Sequence, residues 1–342
     1  MAGEPVNVWD YEELARERLS DGAQAYYFGG AGDEWTLREN VAAFSRWTLR
    51  PRYLVDVSSV STATTVLGEE ISMPVLVAPT AMHRFARDEA ERATARAAAA
   101  AGTIMCLSSV TTVPPAEVAA AAPDGRRWFQ VYVFEDRGLT HALLDEAIAA
   151  GYSALVLTID LPYLGRRERD LRVSLEIPAE WEVPDLGGID PALTWRDLEW
   201  LASYGLPLVV KGVLTREDAE LACEHGAAAV VVSNHGGRQL DGVAATLDVL
   251  PEIAEAVDSR CEIYLDGGVR RGIDVVKALA LGARATLVGR PVLWGLAADG
   301  ERGVAHVLEL MRDEIQLALG LLGCCSPAEV SRSHVRSALP GA

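Results

Sequence analysis

The sequence has no surplus of positive charge. Its net charge of −18 argues against a nucleic-acid or anionic-membrane partner, which would favour a basic face. A small anion can still bind where a site is locally basic. No CxxC pair occurs. The five cysteines, Cys106, Cys223, Cys261, Cys324 and Cys325, are odd in number and scattered. That pattern argues against a zinc site or a disulfide framework and fits a reduced, cytoplasmic protein. No metal is expected. No apolar run reaches the ~18 residues of a membrane span, and the N-terminus lacks a basic-then-apolar signal. The terminal Pro340-Gly341-Ala342 is not a peroxisomal address. No GxGxxG follows an early strand, which counts against a doubly wound dinucleotide fold. Low-complexity tracts and short repeats are also missing.

What is present is an ample core: half the 342 residues are hydrophobic. Eight short apolar runs end in polar or glycine-rich turns. They are Val75–Ala78, Ile104–Leu107, Phe129–Val133, Ala154–Thr158, Leu208–Val210, Ala229–Val232, Glu262–Leu265 and Thr286–Val288. Helix-like segments separate most of them, including Glu89–Ala101, Leu139–Ala150, Arg216–His225 and Ile273–Leu281. Gly102, Gly151, Gly226 and Gly282 supply stops. The repeat predicts a (β/α)8 TIM barrel, and the continuous apolar strands suit a parallel sheet buried on both faces. We expect one domain over 1–342. Residues 1–70 should form a cap, with a helix over Tyr11–Leu19 and an aromatic segment at Tyr26-Tyr27-Phe28. Residues 172–193 should be an irregular lid after the fourth strand, and Val304–Gly320 an amphipathic helix.

Barrel sites lie at the C-terminal ends of the strands. Reading the residues there gives Thr80 and Ala81, Ser108, Gln130 and Tyr132, then Thr158, Asp160 and Arg167. Further on come Lys211, then Ser233, His235 and Arg238, then Asp266, Gly268 and Arg270, and last Gly289 and Arg290. So many polar groups on one rim imply a large polar ligand plus a substrate. His235 can take a proton near neutral pH, and Arg238 can hold a carboxylate with a two-pronged fork. Glycines and arginines after the last two strands suit a phosphate. Lys211 has three readings: a structural ion pair, a Schiff-base lysine, or a charge beside an electron-rich ring.

Ser233-Asn234-His235-Gly236-Gly237-Arg238-Gln239, together with LDGGVRRG, VGRP, APTAM, FQVYV and LTIDLPYLGRRERD, resembles the FMN-dependent (S)-2-hydroxy-acid oxidases and dehydrogenases. The resemblance spans nearly the whole chain. It implies FMN as cofactor and oxidation of a small (S)-2-hydroxy acid to a 2-keto acid, with O2 as acceptor and hydrogen peroxide as product. A quinone or cytochrome acceptor, or a decarboxylating monooxygenase, is the alternative within it. By the same resemblance His235 is the base and Asp160 its partner. Arg238 and Arg167 meet the substrate carboxylate, and Tyr26 and Tyr132 its oxygens. Thr80, Ala81, Ser108, Gln130, Thr158 and Lys211 hold the flavin ring, and Ser233 and Asp266 its side and ribityl chain. Gly268, Arg270, Gly289 and Arg290 surround the phosphate. The resemblance also implies a homotetramer.

Two departures matter. Val110 stands where glycolate oxidases carry a Trp, which should enlarge the substrate pocket unless Tyr163 or Phe134 fills the gap. The segment after Arg172 is shorter than is usual in the family. Ala81 beside the flavin leans towards O2.

Overall fold

The computed structural model describes residues 4–338 apart from 174 and 182, so the tripeptide at 340–342 lies outside the described residues. Eight parallel strands close into a barrel in chain order. They are β1 (Val75–Val77), β2 (Ile104–Ser108), β3 (Arg126–Val131), β4 (Leu155–Thr158), β5 (Leu208–Val213), β6 (Ala229–Val232), β7 (Glu262–Leu265) and β8 (Ala285–Val288). β8 pairs with β1 through Thr286–Val75, Leu287–Leu76 and Val288–Val77, which completes the ring.

The mostly apolar strands have the cause expected of them. Alternate side chains turn inward and outward, and both sets are buried. Leu76, Ile104, Cys106, Trp128, Val156, Val231, Tyr264 and Leu287 fill the interior. Val75, Met105, Leu107, Phe129, Leu157 and Val230 face the helices. The expected helices form as Ala90–Ala100, Arg137–Ala149, Arg216–Glu224 and Gly272–Ala280. Each is followed by its glycine at positive φ: Gly102, Gly151, Gly226 and Gly282.

Three expectations need correction. The third strand begins at Arg126, earlier than Phe129, because pairing with β2 runs back to Ile104–Arg126. The C-terminal helix extends beyond Val304–Gly320 to Leu322, and a separate helix that begins at Arg290 precedes it across a break at Asp299 and Gly300, both outside helical φ/ψ. Residues 1–70 are not a cap throughout. Helices Val8–Arg18, Asp21–Phe28 and Trp35–Ala42 bring Tyr26, Tyr27 and Asn40 to the strand C-terminal ends. The hairpin Thr64–Val66/Glu69–Ile71 instead sends Val66 and Ile71 into the interior cluster. The described residues of the lid form short 3-10 turns at Ala179–Trp181 and Leu186–Gly188 and a single bridge from Ile189 to Phe134.

Asn40 couples the cap to the barrel loops. Its amide and that of Asn234 exchange two hydrogen bonds of 2.8 Å. Gly268 packs beneath it at φ +84°, where a Cβ would overlap the Asn40 carbonyl. Gly268→Ala combines left-handed strain with that overlap. It is expected to cost about 2 kcal/mol or more and to lower Tm by several degrees. An unchanged Tm in a thermal melt would show that the cap moves aside freely.

Candidate active site

The C-terminal ends of the strands and the cap enclose a cleft. The cleft collects the candidate residues from every strand end. Thr80, Ala81, Ser108, Val110, Gln130, Tyr132, Thr158, Arg167 and Lys211 line it. So do Tyr26, His235, Arg238, Asp266, Gly268, Arg270, Gly289 and Arg290. Asp160 and Ser233 are not on its wall. They stand one layer back, bonded to His235 and Lys211 respectively.

His235 follows β6 with φ +57°, an uncommon backbone state for a side-chain-bearing residue and one met at functional sites. Its Nδ1 lies 2.7 Å from Asp160 Oδ1. Burial alone would raise the Asp160 pKa, but His235 and Lys211 outweigh it and hold the carboxyl below its ordinary value. An ionised Asp160 only accepts, so Nδ1 carries the proton and Nε2 keeps a lone pair. Burial pushes the His235 pKa below its ordinary value despite the attraction of Asp160. The imidazole is therefore neutral at pH 7 and able to take a proton.

Lys211 Nζ lies 3.0 Å from Ser233 Oγ and 3.2 Å from Asp266 Oδ2. The structural ion pair is thus real. Burial opposes its charge, but Asp266 and Asp160 outweigh burial and raise its pKa. A lysine held cationic is a poor Schiff-base nucleophile and a good neighbour for an anionic ring. Tyr132 is buried, and desolvation, with Asp160 next, raises its pKa, so the phenol stays neutral.

The arginines lack negative partners. Arg270 Nη1 donates to its neighbour Val269 O, and its Nε is buried without a partner. The guanidinium lies 4.8 Å from the Trp294 ring centroid and 5.6 Å from that of Trp9. Arg290 donates only to the carbonyls of Tyr27, Gly29 and Gly236. Arg238 donates to the carbonyls of Tyr26 and Gly29 and lies over the Tyr26 ring. Arg167 reaches the Arg238 carbonyl and Gln239 Oε1 at 3.3 and 3.4 Å. Burial brings Arg167 and Arg270 down to about 10, with Arg238 adding repulsion at Arg167. Such sites are completed by anionic ligands, and Arg290 and Arg238 stand side by side, both donating to the Gly29 carbonyl.

Other unpaired atoms fit the same picture. Ser108 Oγ donates to Gln130 Oε1 at 3.0 Å, leaving buried Gln130 Nε2 without a partner on the cleft wall. Asp266 Oδ1 is likewise unpaired. A flavin offers a heteroaromatic edge for the first, a ribityl hydroxyl for the second and a phosphate for Arg270. The donor set fits FMN.

The gap at Val110 is not filled by Tyr163, which is 77% exposed. Phe134 packs behind Val110, in a buried cluster with Met82, Tyr132, Leu161 and Ile189. Leu161 and the lid residue Leu186 join Val110 on the cleft wall. Sequence reasoning missed Leu186, Tyr27 and Trp294. Trp294 carried no polar signal, and Leu186 stood in an irregular stretch without periodicity.

Comparison with known proteins agrees with this geometry. The profile of the FMN-dependent dehydrogenase family matches residues 15–337. The chain is 50% identical to an L-lactate oxidase of Nostoc sp., covering 97% of this chain and 98% of that protein. It is 49% identical to glycolate oxidase 3 of Arabidopsis thaliana, covering 98% and 96%. A variant of mandelate oxidase solved with (S)-mandelic acid superposes with a TM-score of 0.93 at 40% identity, covering 99% of this chain and 100% of that one. Mandelate oxidase with benzoyl-formic acid gives 0.92 at 41%, covering 98% and 99%.

Arg270→Met removes a buried charge that a cofactor phosphate would pair with. It is expected to weaken FMN binding about 10-fold or more while changing riboflavin binding little, read by flavin fluorescence titration. Equal losses for both ligands would move the phosphate elsewhere.

Proposed function

The chain belongs to the FMN-dependent 2-hydroxy-acid oxidase family, and from that membership we propose that its substrate is an (S)-2-hydroxy acid with an apolar, up to aryl-sized side chain. The observation that carries the reading is the neutral His235, backed by Asp160, facing two arginines without carboxylate partners beside an apolar wall. Arg167 and Arg238 hold the substrate carboxylate. Tyr132, a neutral phenol, and Tyr26 hydrogen-bond its oxygens. His235 Nε2 takes one substrate proton, and Asp160 stabilises the imidazolium that results. Lys211 Nζ would offset negative charge on a flavin ring held there. Bound FMN would supply the redox chemistry that links oxidation of the acid to reduction of O2 to hydrogen peroxide.

The side chain of the acid meets Val110, Leu161 and Leu186. That wall supports an aryl-sized group, and so does the likeness to mandelate oxidase. A smaller substrate is favoured by the more similar lactate and glycolate oxidases. A homotetramer in the cytoplasm belongs to the same proposal. Among the described residues no helix is long and apolar enough to cross a membrane.

Anaerobic addition of (S)-mandelate is expected to bleach the flavin absorbance. Val110→Trp is expected to lower kcat/KM for mandelate about 10-fold or more and to leave glycolate within about 3-fold. Bleaching by glycolate or lactate alone would establish the small-substrate reading. One keto acid and one peroxide per turnover, without CO2, separate the oxidase from the decarboxylating alternative.

A base held below its ordinary pKa sets the pH profile. His235 must be neutral to act, so kcat/KM is expected to be level above about pH 6.5 and to fall only on the acid side. An acid limb centred above pH 7 would sink the assignment. His235→Ala is expected to lower kcat about 10²–10⁴-fold with FMN still bound.

A further inference from the structure

Two cysteines far apart in sequence meet at the opposite end of the barrel from the cleft. Cys223 lies in the last turn of helix Arg216–Glu224, and Cys261 directly precedes β7. Their sulfurs are 3.2 Å apart across a separation of 38 residues. Both side chains are half-buried, so a small oxidant reaches them, whereas Cys106 is enclosed in the barrel interior. A disulfide needs sulfurs about 2 Å apart, so closure asks for roughly 1 Å of travel at the end of a helix and in a connecting loop.

We propose that Cys223 and Cys261 form a redox pair that closes to a disulfide under the hydrogen peroxide this enzyme releases. The chemistry balances without another reagent. The Cys223 sulfur attacks one peroxide oxygen, the O–O bond breaks, and one water leaves with a sulfenic acid on Cys223. The Cys261 sulfur then attacks Cys223 and displaces the second water. Two thiols and one peroxide become one disulfide and two waters, with two electrons passing from sulfur to oxygen. Cys223 is the first to react. Burial, and then the hydrogen bond with Cys223, push the Cys261 thiol up, which leaves it as the resolving partner.

The position of the pair gives closure a consequence. The loop closed between residues 223 and 261 contains β6, Ser233, His235, Arg238 and the helix Thr246–Val257. The bond would tie the segment carrying the base and one carboxylate arginine to the start of the next strand. It touches neither the cleft nor the cofactor residues. A tether of this length restricts the unfolded chain and so protects the enzyme that is producing the oxidant.

The test uses the FMN-bound enzyme. One sample turns over a 2-hydroxy acid in air with and without catalase, and another receives reagent peroxide near 1 mM. Non-reducing peptide mapping is expected to show a Cys223–Cys261 crosslink, with a mass loss of about 2 Da, in both samples and not with catalase. Tm is expected to rise by about 2–6 °C, and a thiol reductant to reverse it. Cys223→Ser and Cys261→Ser are each expected to keep normal turnover and lose the shift. Thiols that stay free in reagent peroxide, or a Cys223 sulfinic acid without pairing, overturn the proposal. Closure by reagent peroxide but not during turnover overturns the self-oxidation. A peroxide assay of the turnover sample separates that result from a failure of the functional reading.

Discussion

Buried positive charge without negative partners is the constraint on which this structure depends. Arg167 and Arg270 are withdrawn from water, and Arg290 nearly so, and none is bonded to a carboxylate. Holding a desolvated cation is costly unless something replaces its hydration. Here backbone carbonyls and aromatic rings replace part of it. The carbonyls of Tyr27 and Gly29 serve Arg290, those of Tyr26 and Gly29 serve Arg238, and the indoles of Trp9 and Trp294 flank Arg270. The cap is therefore part of the electrostatics of the cleft. The remaining share is left for anionic ligands to supply.

Within that positive cleft two carboxylates set the protonation states of their partners. Asp160 orients His235 by accepting from Nδ1, yet does not overcome the burial that keeps the ring neutral. Asp266, joined by Asp160, does overcome burial for Lys211, which stays a cation. One base and one fixed charge result from the same residue type behind each. The difference lies in the group being desolvated. An imidazole is near its neutral state already, whereas an ammonium loses far more by giving up its proton at neutral pH.

Much of this was legible beforehand, because a parallel barrel writes itself into the chain locally. The eight runs are mostly apolar since both faces are buried, and each glycine stop follows a helix end at positive φ. Strand ends point at one rim, so the polar residues just past each run already brought together His235, Arg238, Lys211, Arg270 and Arg290. Other features left no such trace. The hairpin holding Val66 and Ile71 resembles any polar-flanked turn, and only its position beneath the open barrel makes it a plug. Trp294 behind Arg270 sits in an ordinary helix pattern. The kink at Gly300 was hidden because apolar spacing continues on both sides of it.

By itself the sequence determined the barrel, the order of its strands and the set of residues at the mouth. These come from local periodicity and from a rule of topology that needs no coordinates. Only the tertiary structure decided which of those residues touch the cleft and which stand behind it, as Asp160 and Ser233 do. It decided the charge of His235, because desolvation is a sum over neighbours from many elements. It also decided that Tyr163 leaves the space beside Val110 open, and that Cys223 and Cys261 are neighbours. Distances between residues remote along the chain depend on how eight strands and their helices close together, and no local pattern encodes that closure.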